Sequence, residues 1–152
     1  MNEERVLKVI EDMKEVIGNL KGCTQVLECT ESDNKTIFIE FGLKQIFVDF
    51  FITVENLTSM LLKEFKRYRI GIDMKESLNI LLKNKVLSEE EFIFLNEARL
   101  LRNRISHRYK EPSKEELLTF INLNTNYFDN IVNIALGFLS RKWYIPKSDR
   151  EI

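Results

Sequence analysis

The residues best equipped for chemistry in this sequence stand in one run, Arg102-Asn103-Arg104-Ile105-Ser106-His107-Arg108-Tyr109. It holds the single histidine of the chain beside three arginines. An imidazole is the side chain whose ordinary titration falls nearest neutrality, so it can take or give a proton at physiological pH. An arginine is a fixed charge with a planar fork that matches a phosphate or a carboxylate. Together they place a titratable imidazole among fixed positive charges, with Arg102, Asn103 and His107 as the central candidates and Arg99, Arg104 and Arg108 as further cations that could hold an anion. Spacing alone leaves a blander alternative open. A histidine in the last turn of a helix also suits the negative end of the helix dipole, with arginines as its solvated company.

The run needs a helix end to position it. Phe92, Leu95, Ala98, Leu101 and Ile105 recur at steps of three and four, and Pro112 closes the segment, which predicts a helix from about residue 89 whose last turns carry the motif. On a continuous helix Asn103 and His107 share a face, while Arg102, Ser106 and Tyr109 line up on the neighbouring one. Arg102 is also in register with Leu95, Ala98 and Ile105, so its guanidinium starts on the edge of the apolar face. A charge there needs a partner, and a protein carboxylate or a ligand phosphate would both serve.

The other elements read as scaffold. Val6, Ile10, Met13, Ile17 and Leu20 mark a first helix over residues 2–20, with Gly22 as its stop, a broken helix continued by Cys23 to Leu27 as the alternative, and Thr30-Glu31-Ser32-Asp33-Asn34 as a turn. Residues 35–68 are apolar almost all round, which predicts one long helix that either fills the middle of a bundle or gives a face to a partner chain. Its polar stripe Gln45, Asp49, Thr53 and Asn56 reads as a solvent line or internal hydrogen bonds, the sharper alternative being a lining for the site. Asp73-Met74-Lys75-Glu76, Ser88-Glu89-Glu90-Glu91 and Ser113-Lys114-Glu115-Glu116 each have capping-box spacing and open a short helix, the motif helix and one final long helix to about residue 142. The expected architecture is all-α, an up-and-down bundle of four main helices plus one short helix. Residues 1–145 form its single domain and residues 146–152 a tail, with Trp143 and Tyr144 packing on the bundle or stacking on a base.

Composition bounds the function classes. With 152 residues the chain is long enough to bury a core without metal or disulfide staples. Lys plus Arg number 23 against 24 acidic residues, which leaves no global basic footprint, so any nucleic-acid contact is local. Cys23 and Cys29 lack the histidines or further cysteines of a zinc set and read as reduced thiols of a cytoplasmic protein, a bridge between them being the alternative. No metal or cofactor is expected. Neither a signal peptide nor a membrane span is expected either, because Asp49, Glu55 and Asn56 interrupt the most apolar region.

The run from Leu101 to Tyr109 resembles the Arg-x4-His motif of the HEPN superfamily, in the Arg-Asn-x-x-x-His-x-Tyr form of HepT-like toxins. Arg102, Asn103, His107 and Tyr109 match it residue by residue, with Ser106 where the family more often has an apolar residue. The preceding long apolar helix, the short helix with Leu78, Leu81 and Leu82, the Leu95-x-x-Ala98-x-x-Leu101-Arg102-Asn103 approach and the closing helix follow in the family's order. The resemblance implies a metal-independent endoribonuclease acting as a homodimer on RNA, with its two sites close across the interface. It also implies an MNT-type nucleotidyltransferase antitoxin as partner, with Tyr109 as the acceptor of AMP. A second hypothesis, from a different class, is a non-catalytic helical module that serves such a nucleotidyltransferase as substrate-binding or regulatory partner.

Overall fold

A computed structural model describes residues 2–31, 33–107 and 110–140. Arg108, Tyr109 and the tail with Trp143 and Tyr144 therefore lie outside the described residues. Among the described residues, six helices make up an all-α bundle: α1 (Glu3–Cys29), α2 (Thr36–Glu64), α3 (Met74–Lys83), α4 (Glu89–Ile105), α5 (Lys114–Leu123) and α6 (Thr125–Leu139). Among the described residues, no helix is long and apolar enough to cross a membrane.

The first helix starts where Asn2 accepts a hydrogen bond from the Arg5 amide at 3.2 Å and buries Val6, Ile10, Met13, Ile17 and Leu20 as the spacing predicts. Its end differs from expectation. The helix passes through Gly22 to Cys29, because Thr24 and Leu27 continue the buried stripe. Gly22 lies on the exposed side, where a helical glycine costs only about 1 kcal/mol, less than burial of the following turn returns. Both cysteines are free thiols; Cys23 donates to the Ile39 carbonyl at 3.6 Å, and burial pushes its thiol pKa up.

The second helix opens on Asp33, whose carboxylate accepts from the amides of Lys35 (2.7 Å) and Thr36 (3.0 Å). It runs antiparallel to α1, as Cys23 meets Ile39 at one end while Arg5 and Met60 share a cleft at the other. It stops a turn before residue 68. The Arg67 amide bonds back to the Leu62 carbonyl at 2.8 Å, and Lys66 takes the left-handed conformation, φ +57°, that such a helix end requires.

The final helix is divided. Asn124 breaks the expected single run into α5 and α6, adopting φ −117° and ψ 18°. Its side chain donates to the Phe120 carbonyl at 2.8 Å, and the Thr125 hydroxyl contacts the Ile121 carbonyl at 3.2 Å. Short polar side chains that bond to nearby carbonyls compete with the helix ladder, and two in succession redirect the chain here. The break lets both segments serve one core. Phe94 of α4 stacks on Phe120 (centroids 5.6 Å apart) and meets the edge of Phe128 (5.0 Å), while Phe50 of α2 lies 4.8 Å from Phe128. This aromatic cluster joins α2, α4, α5 and α6 and fixes the axis of the helix that carries the motif.

Candidate functional site

The motif helix α4 is anchored at its start by the Ser88 capping box, in which Ser88 Oγ accepts from the Glu91 amide and Glu91 accepts from the Ser88 amide. Phe94, Leu95 and Ala98 are buried. From that anchored stem the next turns project Arg99, Arg102 and Asn103 towards α2 and the start of α3. There they line a cleft of about 390 Å³ together with Phe51, Glu55, Asp73 and Lys75.

Arg102 is the centre of this cleft. Its side chain is one-third exposed, its Nε is buried without a hydrogen-bond partner, and its nearest carboxylate, Glu55, stands 4.0 Å away. That distance is an ion pair without a hydrogen bond. Arg99 beside it is held by two bonds to the Asn96 side-chain oxygen, at 3.1 and 2.9 Å, and Asn103 is exposed at the rim. The walls carry three cations, Arg99, Arg102 and Lys75, against Glu55 and Asp73. The Asp73 carboxylate accepts from the Glu76 amide at 2.7 Å and caps α3, which leaves Glu55 as the acid facing Arg102. An oxyanion entering here would meet the exposed part of a guanidinium whose link to Glu55 is too long for a hydrogen bond.

The helix ends before the histidine. Ser106 is its cap residue, and the His107 amide bonds three residues back, to the Arg104 carbonyl at 3.1 Å. The expected four-residue register between Asn103 and His107 is thereby lost, because a three-residue turn winds more tightly than an α-helix. His107 is exposed past the helix end and is not part of the cleft lining, and the Lys110 amide bonds to the His107 carbonyl at 2.9 Å.

The three flanking arginines divide. Arg99 is in the cleft, Arg108 lies outside the described residues, and Arg104 points the other way. Its Nε donates to the Lys110 carbonyl at 2.9 Å and its terminal nitrogens hold both oxygens of Glu116, at 2.8 and 3.2 Å. Glu116 also accepts from the Ser113 amide as part of the α5 capping box. The hydrogen bond from Arg104, followed by that from the Ser113 amide, holds the Glu116 carboxyl below the usual carboxylate range, while Glu116 raises the pKa of Arg104. Lys44 pairs with Glu111 at 3.1 Å, and Pro112 is buried. The segment carrying His107 is thus tied at both flanks to α2 and α5, so Arg104 sets the exit path of the motif.

The polar stripe of α2 does not line the Arg102 cleft. Gln45 donates to Asp49 at 2.9 Å, Thr53 is buried and donates to the Phe50 carbonyl at 2.6 Å, and Asn56 faces a different cleft. The acid that does face Arg102, Glu55, was missed by pattern reading, because it belongs to no stripe. Its signal is a carboxylate that interrupts the apolar run of α2 outside the Gln45-Asp49-Thr53-Asn56 stripe. Lys75 was equally hidden inside a capping sequence.

The sequence matches no family model and none of the curated proteins. Among solved structures, the chain is similar in fold to the cytosolic protein of unknown function YutE from Bacillus subtilis, with a TM-score of 0.65 and 15% identity over 87% of this chain and 91% of that one.

Proposed function

We propose that this protein is a metal-independent endoribonuclease of the HEPN type, the toxin of a HepT/MNT-like pair. The observation that carries the reading is Arg102, a cleft arginine with a buried donor left over and a histidine five positions on along the chain. In the proposed reaction the His107 imidazole removes the proton of a ribose 2′-OH and the 2′-oxygen attacks the adjacent phosphorus. The bond from phosphorus to the 5′-oxygen then breaks. The Arg102 fork holds the non-bridging oxygens as their charge grows, and Asn103 orients the phosphate from the rim. Products are a 2′,3′-cyclic phosphate and a 5′-hydroxyl end. The leaving oxygen needs a proton, and each chain has one histidine. His107 of the partner subunit is the proposed acid, which makes the homodimer part of the chemistry.

A dimer is supported by the flank of α2. Ile37, Phe38, Phe41 and Ile52 are 48%, 72%, 57% and 43% exposed on a helix that is otherwise core, more apolar surface than one helix usually leaves in water. Control is proposed to come from an MNT-type nucleotidyltransferase that adds AMP to Tyr109. A phosphodiester two residues from His107 would bring negative charge and bulk to the place of the substrate phosphate. A cytoplasmic location fits this reading, and the similar YutE is described as cytosolic.

The test is chemical. RNA is incubated with the protein in excess chelator beside an oligonucleotide of the same sequence lacking every 2′-hydroxyl, and the new ends are analysed. Cyclic phosphate ends from RNA alone are expected. Cleavage of the deoxy strand would overturn the proposed attack, and an inert protein would favour the non-catalytic partner of a nucleotidyltransferase.

A further inference from the structure

A second cleft, of about 380 Å³, opens between the first turns of α1 and the last turns of α2. Its apolar floor is Val9 and Met60, its polar wall Asn56 and Ser59, and its rim Arg5, Lys63 and Tyr68. The Tyr68 ring is 40% exposed, with the Lys63 ammonium 4.8 Å from its centre. Lys8, also at the rim, is paired with Asp12 at 3.0 Å, so the one carboxylate of the cleft already has a cation. Arg5 and Lys63 pair with no carboxylate among the described residues. The chain then continues through Lys66 and Arg67 to Arg69, which is tied to Glu76. Four cations against Glu64 in residues 63–69 form a local concentration in a chain whose net charge is −1.

An exposed ring, an amide, a hydroxyl and two cations without carboxylate partners match the parts of a nucleotide. The ring offers the face turned away from Lys63 for stacking, Asn56 and Ser59 offer hydrogen bonds to base or sugar edges, and Arg5 and Lys63 offer charge to a phosphate. We infer that this cleft is a subsite for one nucleotide of a single-stranded RNA. The inference rests on the ribonuclease reading of Arg102 and His107 and names how the same substrate is held. The two clefts are neighbours across α2: Glu55 lines the Arg102 cleft and Asn56, the next residue, lines this one. A helix with its side chains is about 10 Å across, so a strand with its scissile phosphate at Arg102 has one helix to pass around on its way to the second cleft.

The experiment measures binding apart from cleavage. A 5′-labelled twelve-nucleotide single-stranded RNA is titrated by fluorescence anisotropy against the His107→Ala protein, which leaves the RNA intact, over a range of salt concentrations. Arg5→Ala and Lys63→Ala are each expected to reduce the slope of log affinity against log salt by about 0.7, the loss of one phosphate contact on a single strand. Tyr68→Ala is expected to weaken binding by about tenfold with the slope unchanged, and Tyr68→Phe to restore it, since the ring and not the hydroxyl stacks. Lys14→Ala, on the exposed side of α1 outside the cleft, serves as the control and should change neither. Unchanged slopes in both cation variants, full affinity in Tyr68→Ala, or no RNA binding at all would each overturn the inference. Cleavage assays on chains that keep His107 separate the two claims. RNA cut by chains whose cleft variants bind normally would reject the subsite and leave the nuclease standing, whereas binding with the expected slopes and no cleavage would do the reverse.

Discussion

Replacing Arg102 with methionine should make the protein more stable while removing its activity. The Arg102 Nε is buried with no hydrogen-bond partner, and its link to Glu55 spans 4.0 Å with both side chains more than a third exposed to water. An unsatisfied buried donor costs about 1–3 kcal/mol, and a pair as open as this one returns about 0–1 kcal/mol. Methionine keeps an unbranched apolar stem beside Phe51 and Met74 without the stranded donor. The expected net gain is about 1 kcal/mol, or an unfolding midpoint higher by about 2–4 °C for a domain of this size. Arg99→Met is the matched control: Arg99 has both its bonds to Asn96, so its loss should lower stability by about 0.5–1 kcal/mol. Calorimetry or urea unfolding reads both. On RNA, loss of an arginine that holds transition-state charge should lower kcat by about 10²–10³-fold in Arg102→Met. If Arg102→Met instead loses 1 kcal/mol or more, Arg102 is a structural residue and the reasoning that reserves it for a ligand fails.

Three further outcomes follow from the geometry. The carboxyl of Glu116 is held below its usual range, so its contribution is present above the ordinary glutamate range and lost as pH falls through its lowered folded value; Glu116→Gln should therefore be less stable than the parent at neutral pH, and the gap should close in acid, whereas a gap independent of pH would remove the Arg104 contact as its cause. Phe94→Ala empties the junction of α2, α4, α5 and α6 and should cost about 3–5 kcal/mol by urea unfolding; a loss under 1 kcal/mol would mean that the aromatic cluster does not anchor the motif helix. Phe41→Glu, on the exposed flank of α2, should turn a dimer into a monomer by sedimentation with the helical content unchanged, and a dimer that survives it would place the interface elsewhere.

What could be read from sequence was what is local. Asp73, Ser88 and Ser113 announce their helices because a cap and its partner lie within three residues. The α1 stripe and the apolar girth of α2 were equally plain, being periodic. Gly22 misled because an exposed glycine in a long buried stripe is outweighed by packing, which composition does not display. Asn124 was invisible inside a run of apolar spacing that fits one helix as well as two. The site itself was half legible. Arg99 stands one turn before Arg102 and Asn103, so helical spacing brings it beside both, but Glu55 and Lys75 reach them only through the packing of α2 and α3. Arg104 and Glu116, twelve positions apart, are brought together by the turn after Ser106, and that same turn takes His107 off the expected helical face.

The central claim is that His107 moves the proton that starts RNA cleavage. The most direct measurement compares RNA cleavage by the wild-type chain and by His107→Ala, at matched concentration in excess chelator, with both proteins shown to be folded by circular dichroism. The wild-type chain should cut RNA and the variant should be reduced by at least about a hundredfold, the usual contribution of a positioned acid or base. Cleavage that persists undiminished in His107→Ala would contradict the account.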